Sequence, residues 1–227
     1  MWRKQLVLTL LMFGFLSRGY TQHVDPLEEH FLDRDVFAAK IDSLENHYRK
    51  KKTFDTEFKL PCLVALSHYP ELRDIKIVFR HHPKVEALVR VMPFNKYLFT
   101  RSRKKRAYFV DFNPNLEIFD KYSFNAMVGV IGHELAHISE FAGKGFMGIT
   151  GVGIGHISKK YVAQFERETD RTALQHGLEY QLYEFNKTVE DFLIRNGRYQ
   201  ALERRRKYYM TAEEIRDYIT RDTTAVR

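Results

Sequence analysis

Cysteine is nearly absent from this sequence: Cys62 is the only one among 227 residues. No disulfide can form within the chain, so a stable fold has to rest on an apolar core or on a bound metal. The thiol sits in "LPCLVALS", among apolar neighbours, which reads as a packed side chain rather than a nucleophile. Long apolar runs are also scarce. The one at the start, Leu6 to Leu16 in "MWRKQLVLTLLMFGFLSRGYTQ", is about half of what spans a bilayer. A basic start, an apolar run and then small and polar residues is the layout of a secretory signal peptide. Residues 1–19 are therefore expected to be a leader, and residues 20–227 an exported chain, periplasmic or secreted, with no integral membrane span. Internal repeats and clear linkers are missing as well, so one domain is expected.

Acidic charge is in modest deficit. The formal net charge is +8. Without the leader, which carries Arg3, Lys4 and Arg18, 37 − 3 = 34 basic residues stand against 29 acidic ones, or +5. The basic clusters "YRKKK" (48–52), "SRKKR" (102–106) and "RRRK" (204–207) lie far apart in sequence. They read as solvated tips, and no nucleic-acid partner is expected.

What the sequence does have is a hydrophobic fraction of 44% and an aromatic fraction of 14%, enough for a sizeable core. "DPLEEHFLDRDVFAAKIDSLENHYRKKK" has helical periodicity and predicts one long helix, and "LPCLVALSHYPEL" a shorter apolar one. "DIKIVFR" alternates like a half-buried strand. "EALVRVMP", "KYLFTR" and "RAYFVDFNP" suggest further strands. After Pro114 helical spacing returns. Helices are expected from Ser123 to Phe141, over "YVAQFERETDRTALQHG", over "EYQLYEFNKTVEDFLIRNGR", and over "TAEEIRDYI" capped by Thr211. Between the first two lies "GKGFMGITGVGIGHISKK", with six of the twelve glycines, read as a flap or a tightly packed connection. Helices, a small antiparallel sheet and then helices make an α+β fold.

The chemistry is concentrated in "IGHELAHISEF". On a helix, His133 and His137 share one face, a turn apart, and both imidazoles can reach a single ion. Glu134 is rotated about 100° from His133 and can flank the ion without binding it, as a general base does in H-E-x-x-H zinc peptidases. The run "FNAMVGVIG" before it is apolar all round, so these polar groups are expected in a buried helix, where they need partners. A catalytic zinc site takes a third protein ligand. The H-E-x-x-H-x-x-G-x-x-H solution fails, because Glu140 and Gly143 occupy the glycine and third-histidine positions. The helix carrying "ERETD" offers Glu166, Glu168 and Asp170. Val162, Glu166, Thr169, Asp170 and Ala173 form one stripe, whereas Glu168 points almost oppositely, with Arg167 and Arg171 towards the outside. Glu166 is thus the expected third ligand. Asp170 is expected to accept the free ring N–H of a ligand histidine.

"HELAH" followed by "ERETD" resembles the H-E-x-x-H … E-x-x-x-D signature of the gluzincin metallopeptidases. The compact spacing is most similar to minigluzincins and to the catalytic cores of CAAX-protease-like gluzincins. The resemblance covers roughly residues 75–177 of a zincin-like domain. It implies His133, His137 and Glu166 as ligands of one Zn2+ per chain, Glu134 as base and Asp170 as orienter. The expected function is that of an exported zinc-dependent endopeptidase, and the resemblance also implies a protein or peptide substrate lying along an edge strand, for which "YFVDFNP" is the candidate. Such enzymes add a His or Tyr that donates to the oxyanion, and His156, Tyr161, His176 and Tyr180 are the candidates. Two other readings are a zinc-stapled, non-catalytic binding or chaperone-like module, and a latent proenzyme whose N-terminal helix covers the cleft.

Overall fold

The computed structural model describes residues 26–93, 106–143 and 158–225. The leader, "KYLFTR", most of the 102–106 tip, and the glycine-rich connection with His156 lie outside them.

The N-terminal segment is three pieces rather than one helix: a 3-10 turn at Pro26–His30, α1 (Arg34–Ala38) and α2 (Ile41–Tyr48). Asp33 explains the first break. Its carboxylate caps α1 by accepting from the Asp35 and Val36 N–H groups, which needs extended backbone at Asp33 itself. Strand β1 (Lys52–Asp55), which periodicity did not predict, follows, and then α3 (Lys59–Ser67). Cys62 is fully buried in α3 and its thiol is pushed up by burial, as a packed cysteine should be.

Strands β2 (Lys76–His81), β3 (Val89–Pro93) and β4 (Ala107–Phe112) complete a sheet of order β1-β2-β4-β3. The fold class is α+β, but only the β3–β4 pair is antiparallel. The β1–β2 and β2–β4 pairs run parallel. The α3 crossover between β1 and β2 dictates that direction, since parallel strands need a long connection. Strand β4 lies inside the sheet, so "YFVDFNP" is not an edge. Among the described residues the edge strand on that side is β3.

Helix α4 (Phe124–Gly143) carries both histidines and runs through the core. Ser123 caps it by accepting the Ala126 N–H. Around it pack α3, β3, α5 (Lys159–Gln175) and α6 (Glu179–Arg195), followed by α7 (Tyr199–Tyr208) and α8 (Ala212–Ala225). Helix α7 was not predicted. Thr211 caps α8 in a reciprocal capping box with Glu214. The closest approach is between α4 and α6. A Cβ on Gly129 would stand 2.2 Å from the Gln181 carbonyl oxygen, and one on Gly132 2.3 Å from Leu178 Cδ1. At Gly129, one turn before His133, only glycine lets the two backbones meet, because the obstacle is the Gln181 main chain.

Candidate metal centre

Helices α4 and α5 bring three potential ligand atoms together. His133 Nε2 is 3.2 Å and His137 Nε2 3.4 Å from Glu166 Oε2. All three ligand atoms lie within 4.8 Å of one another. A tetrahedral ion with ligands at about 2.0–2.1 Å separates neighbouring donors by roughly 3.3–3.4 Å, so the spacing suits one small ion. His133, His137 and Glu166 therefore form a group that could bind a metal.

Ring orientation is set on the far side of each imidazole. His133 Nδ1 lies 2.8 Å from Asp170 Oδ1. A carboxylate only accepts, so this nitrogen carries a hydrogen and Nε2 is left to face Glu166. At His137 the partner is Thr169. Its hydroxyl donates to the Phe165 carbonyl at 3.0 Å, and its oxygen, 3.2 Å from His137 Nδ1, accepts from that ring nitrogen. Both hydrogen-bond assignments direct Nε2 to the same place. Thr169 was on the predicted inward stripe but had no role there.

Burial and charge act together on these groups. Burial alone would lower His133, but Asp170 and Glu166 outweigh it and raise it to about 10. Burial would raise Glu166, yet the two histidines hold it far below the ordinary carboxylate range. Glu134 stands apart. Burial pushes its carboxyl up, against the pull of both histidines, and its Oε2 accepts the Val91 N–H of edge strand β3 at 2.8 Å.

Asp170 also joins the site to the C-terminal helices. Its second oxygen accepts the Met210 N–H at 2.7 Å, and Arg167 donates to the Tyr209 carbonyl at 2.8 Å. Arg167, expected outside, thus faces the 209–210 segment and also pairs with Glu214. Glu168 is exposed, as expected. These bonds dock Tyr209 against the site. Its ring is 5.8 Å from that of His133, and it lines the cleft with Glu134 and Glu166. Burial, then the negative charge of Glu166, raise the Tyr209 phenol, so it stays a hydrogen-bond donor.

Among the oxyanion candidates, none of the three described residues lines this cleft. His176 closes α5, bound to the Thr172 carbonyl and Glu71 and stacked on Tyr69. Tyr180 stacks on His30, and Tyr161 on Phe165. His156 lies outside the described residues. Tyr209 takes the place expected of them. With 13 tyrosines in the chain and Tyr209 far from both motifs, only the Thr211 cap just after it hinted at a defined position.

Among the described residues, none of 26–55 lines the cleft. The segment packs elsewhere, with Leu32 and Asn125 exchanging two hydrogen bonds. No helix among the described residues is long and apolar enough to cross a membrane. Comparison with known proteins adds no relative: no family model, curated protein or solved structure matches the chain. The resemblance to gluzincins rests on the residues of the site.

Proposed function

We propose that the protein is an exported zinc-dependent peptidase. One observation carries this reading: a second carboxylate, Glu134, stands beside the three convergent ligand atoms of His133, His137 and Glu166 but is held off them by β3. A structural metal site has little use for such a group, whereas hydrolysis needs a base there. The donor set of two imidazoles and a carboxylate suits zinc.

Zinc, when bound, would supply a Lewis acid that acidifies a water and polarises a peptide carbonyl. The protein residues do the rest. Glu134 takes a proton from the attacking water as the new C–O bond forms. It passes that proton to the leaving nitrogen as the C–N bond breaks, so the protons balance. Its raised pKa suits a group that must both accept and release a proton. Tyr209, kept protonated, donates to the carbonyl oxygen as negative charge grows there. Strand β3 aligns the substrate. Leu88 O faces β4, where it accepts the Asn113 N–H, while the Val91 N–H faces Glu134. Alternation then turns Val89 and Val91 outward, and their carbonyls can accept from an extended peptide. Pro93 shares that parity and suits an open edge.

The test is Glu134→Gln in residues 20–227. Zinc content should stay at about one per chain and hydrolysis of an unstructured protein substrate should fall by about 10²–10⁴-fold. Undiminished hydrolysis by the zinc-loaded variant would remove Glu134 from the mechanism.

A further inference from the structure

A second cavity, of about 350 Å³, opens beside the metal cleft and shares Val89, His133, Glu134 and Tyr209 with it. Its far wall is apolar, formed by Phe185, Val189, Phe192 and Leu193 from α6. Four charged side chains line it besides His133. Arg198 is paired with Glu117 at 2.9 Å, and Glu134 faces the metal cleft. Arg205 remains. It has no acidic partner among the described residues. Its guanidinium lies over the Phe185 and Tyr209 rings, 5.1 and 4.7 Å from their centroids, and one Nη donates to buried Asn186. Its Nε is buried and has no hydrogen-bond partner among the described residues.

The half-buried guanidinium has no acidic partner among the described residues, and a carboxylate entering the cavity would match the fork of its remaining Nη hydrogens. Aromatic faces hold the guanidinium in place but do not neutralise its charge. The cavity volume is near the lower end of the roughly 300–1,000 Å³ of small-ligand pockets. That suits the end of a chain better than a chain passing through.

We propose that this cavity receives the C-terminal residue of a peptide, its apolar side chain against α6 and its carboxylate on Arg205. The protein would then act near free C-termini, releasing the last residue or the last few, rather than cutting within long chains. This rests on the peptidase reading, but the recognition itself can be measured without turnover.

The experiment is calorimetric titration of zinc-loaded residues 20–227 with N-acetylphenylalanine and with N-acetylphenylalaninamide. The free acid should bind at least about tenfold tighter, and Arg205→Gln should erase that preference, with Arg205→Lys restoring part of it. Equal affinity for acid and amide in the parent would overturn the proposal. So would a preference that survives Arg205→Gln, because the carboxylate would then sit on the metal. Since Arg205 packs on Tyr209 and could be needed for folding, a second measurement uses the parent alone: a peptide with a free C-terminus should be cut at least about tenfold faster than its C-terminal amide. Equal cutting of both would contradict the proposal while leaving the peptidase reading intact. Preferential binding of the acid without any hydrolysis would leave the carboxylate site standing and remove the peptidase reading.

Discussion

Two buried polar sites in this protein solve the same problem in opposite ways. Where β1 begins beside the turn that leads into β2, the Lys52 ammonium donates to the carbonyls of Leu72, Arg73 and Ile75 at 2.8, 3.0 and 2.7 Å. Burial brings its pKa down to about 8, so it is a cation at neutral pH, with its three hydrogens matched to three acceptors. The chain supplies both cation and acceptors, and the site is closed. At the candidate metal centre the cation is exchangeable: without a metal a protonated His133 faces Glu166, and a bound metal would take the place of its Nε2 proton. Two ring nitrogens and a carboxylate oxygen converge, while Asp170 and Thr169 fix the rings from behind. No Lys or Arg is paired with Glu166 among the described residues. One site is complete as folded, and the other is arranged for a cation from outside.

The contrast can be broken or sharpened by substitution. After Glu134→Gln, the largest effect is expected at Tyr209. Tyr209→Phe keeps the ring against His133 and removes one donor, and should lower the hydrolysis rate by about 10²–10³-fold, or about 2.7–4 kcal/mol, with zinc retained. Steady-state kinetics with parallel elemental analysis would check it. Next is Lys52→Met, which takes this donor from the Arg73 and Ile75 carbonyls, while the Leu72 carbonyl keeps the Ile75 N–H. It should cost about 3 kcal/mol in urea unfolding without changing zinc per chain. If zinc were lost as well, the two sites would not be independent.

Asp170→Asn should weaken zinc binding by about 10–100-fold in a chelator competition, because the amide can turn its N–H towards His133 and lose the ring's orientation. Thr169→Val should cost about tenfold or less, since His137 loses a neutral partner rather than a charged one. A larger loss at Thr169 than at Asp170 would invert the assignment of the two supports.

The sequence carried the metal centre further than the sheet. His133, His137, Glu166 and Asp170 were legible because helical spacing is local: four residues along α4 or α5 return to the same face. The inward stripe of α5 likewise separated Glu166 from Glu168. Strand direction and order are not local. The parallel β1–β2 pair, the interior position of β4 and the edge at β3 follow from crossovers that alternation does not reveal. The basic clusters misled for a related reason. "YRKKK", "SRKKR" and "RRRK" read as solvated, yet each sends one cation inward: Lys52 to its three carbonyls, Arg106 to the Phe141 carbonyl at 2.8 Å, and Arg205 to the second cavity. Tyr209 was missed because it is held at the cleft by Arg167 and Asp170, about forty residues away, which local periodicity does not reveal.

The most direct test of the account is zinc per chain, by elemental analysis, on residues 20–227 and on the Glu166→Ala and Glu168→Ala variants. About one zinc in the parent and in Glu168→Ala, with loss in Glu166→Ala, is the predicted result. A parent that holds no zinc after loading, or loss in Glu168→Ala alone, would contradict it.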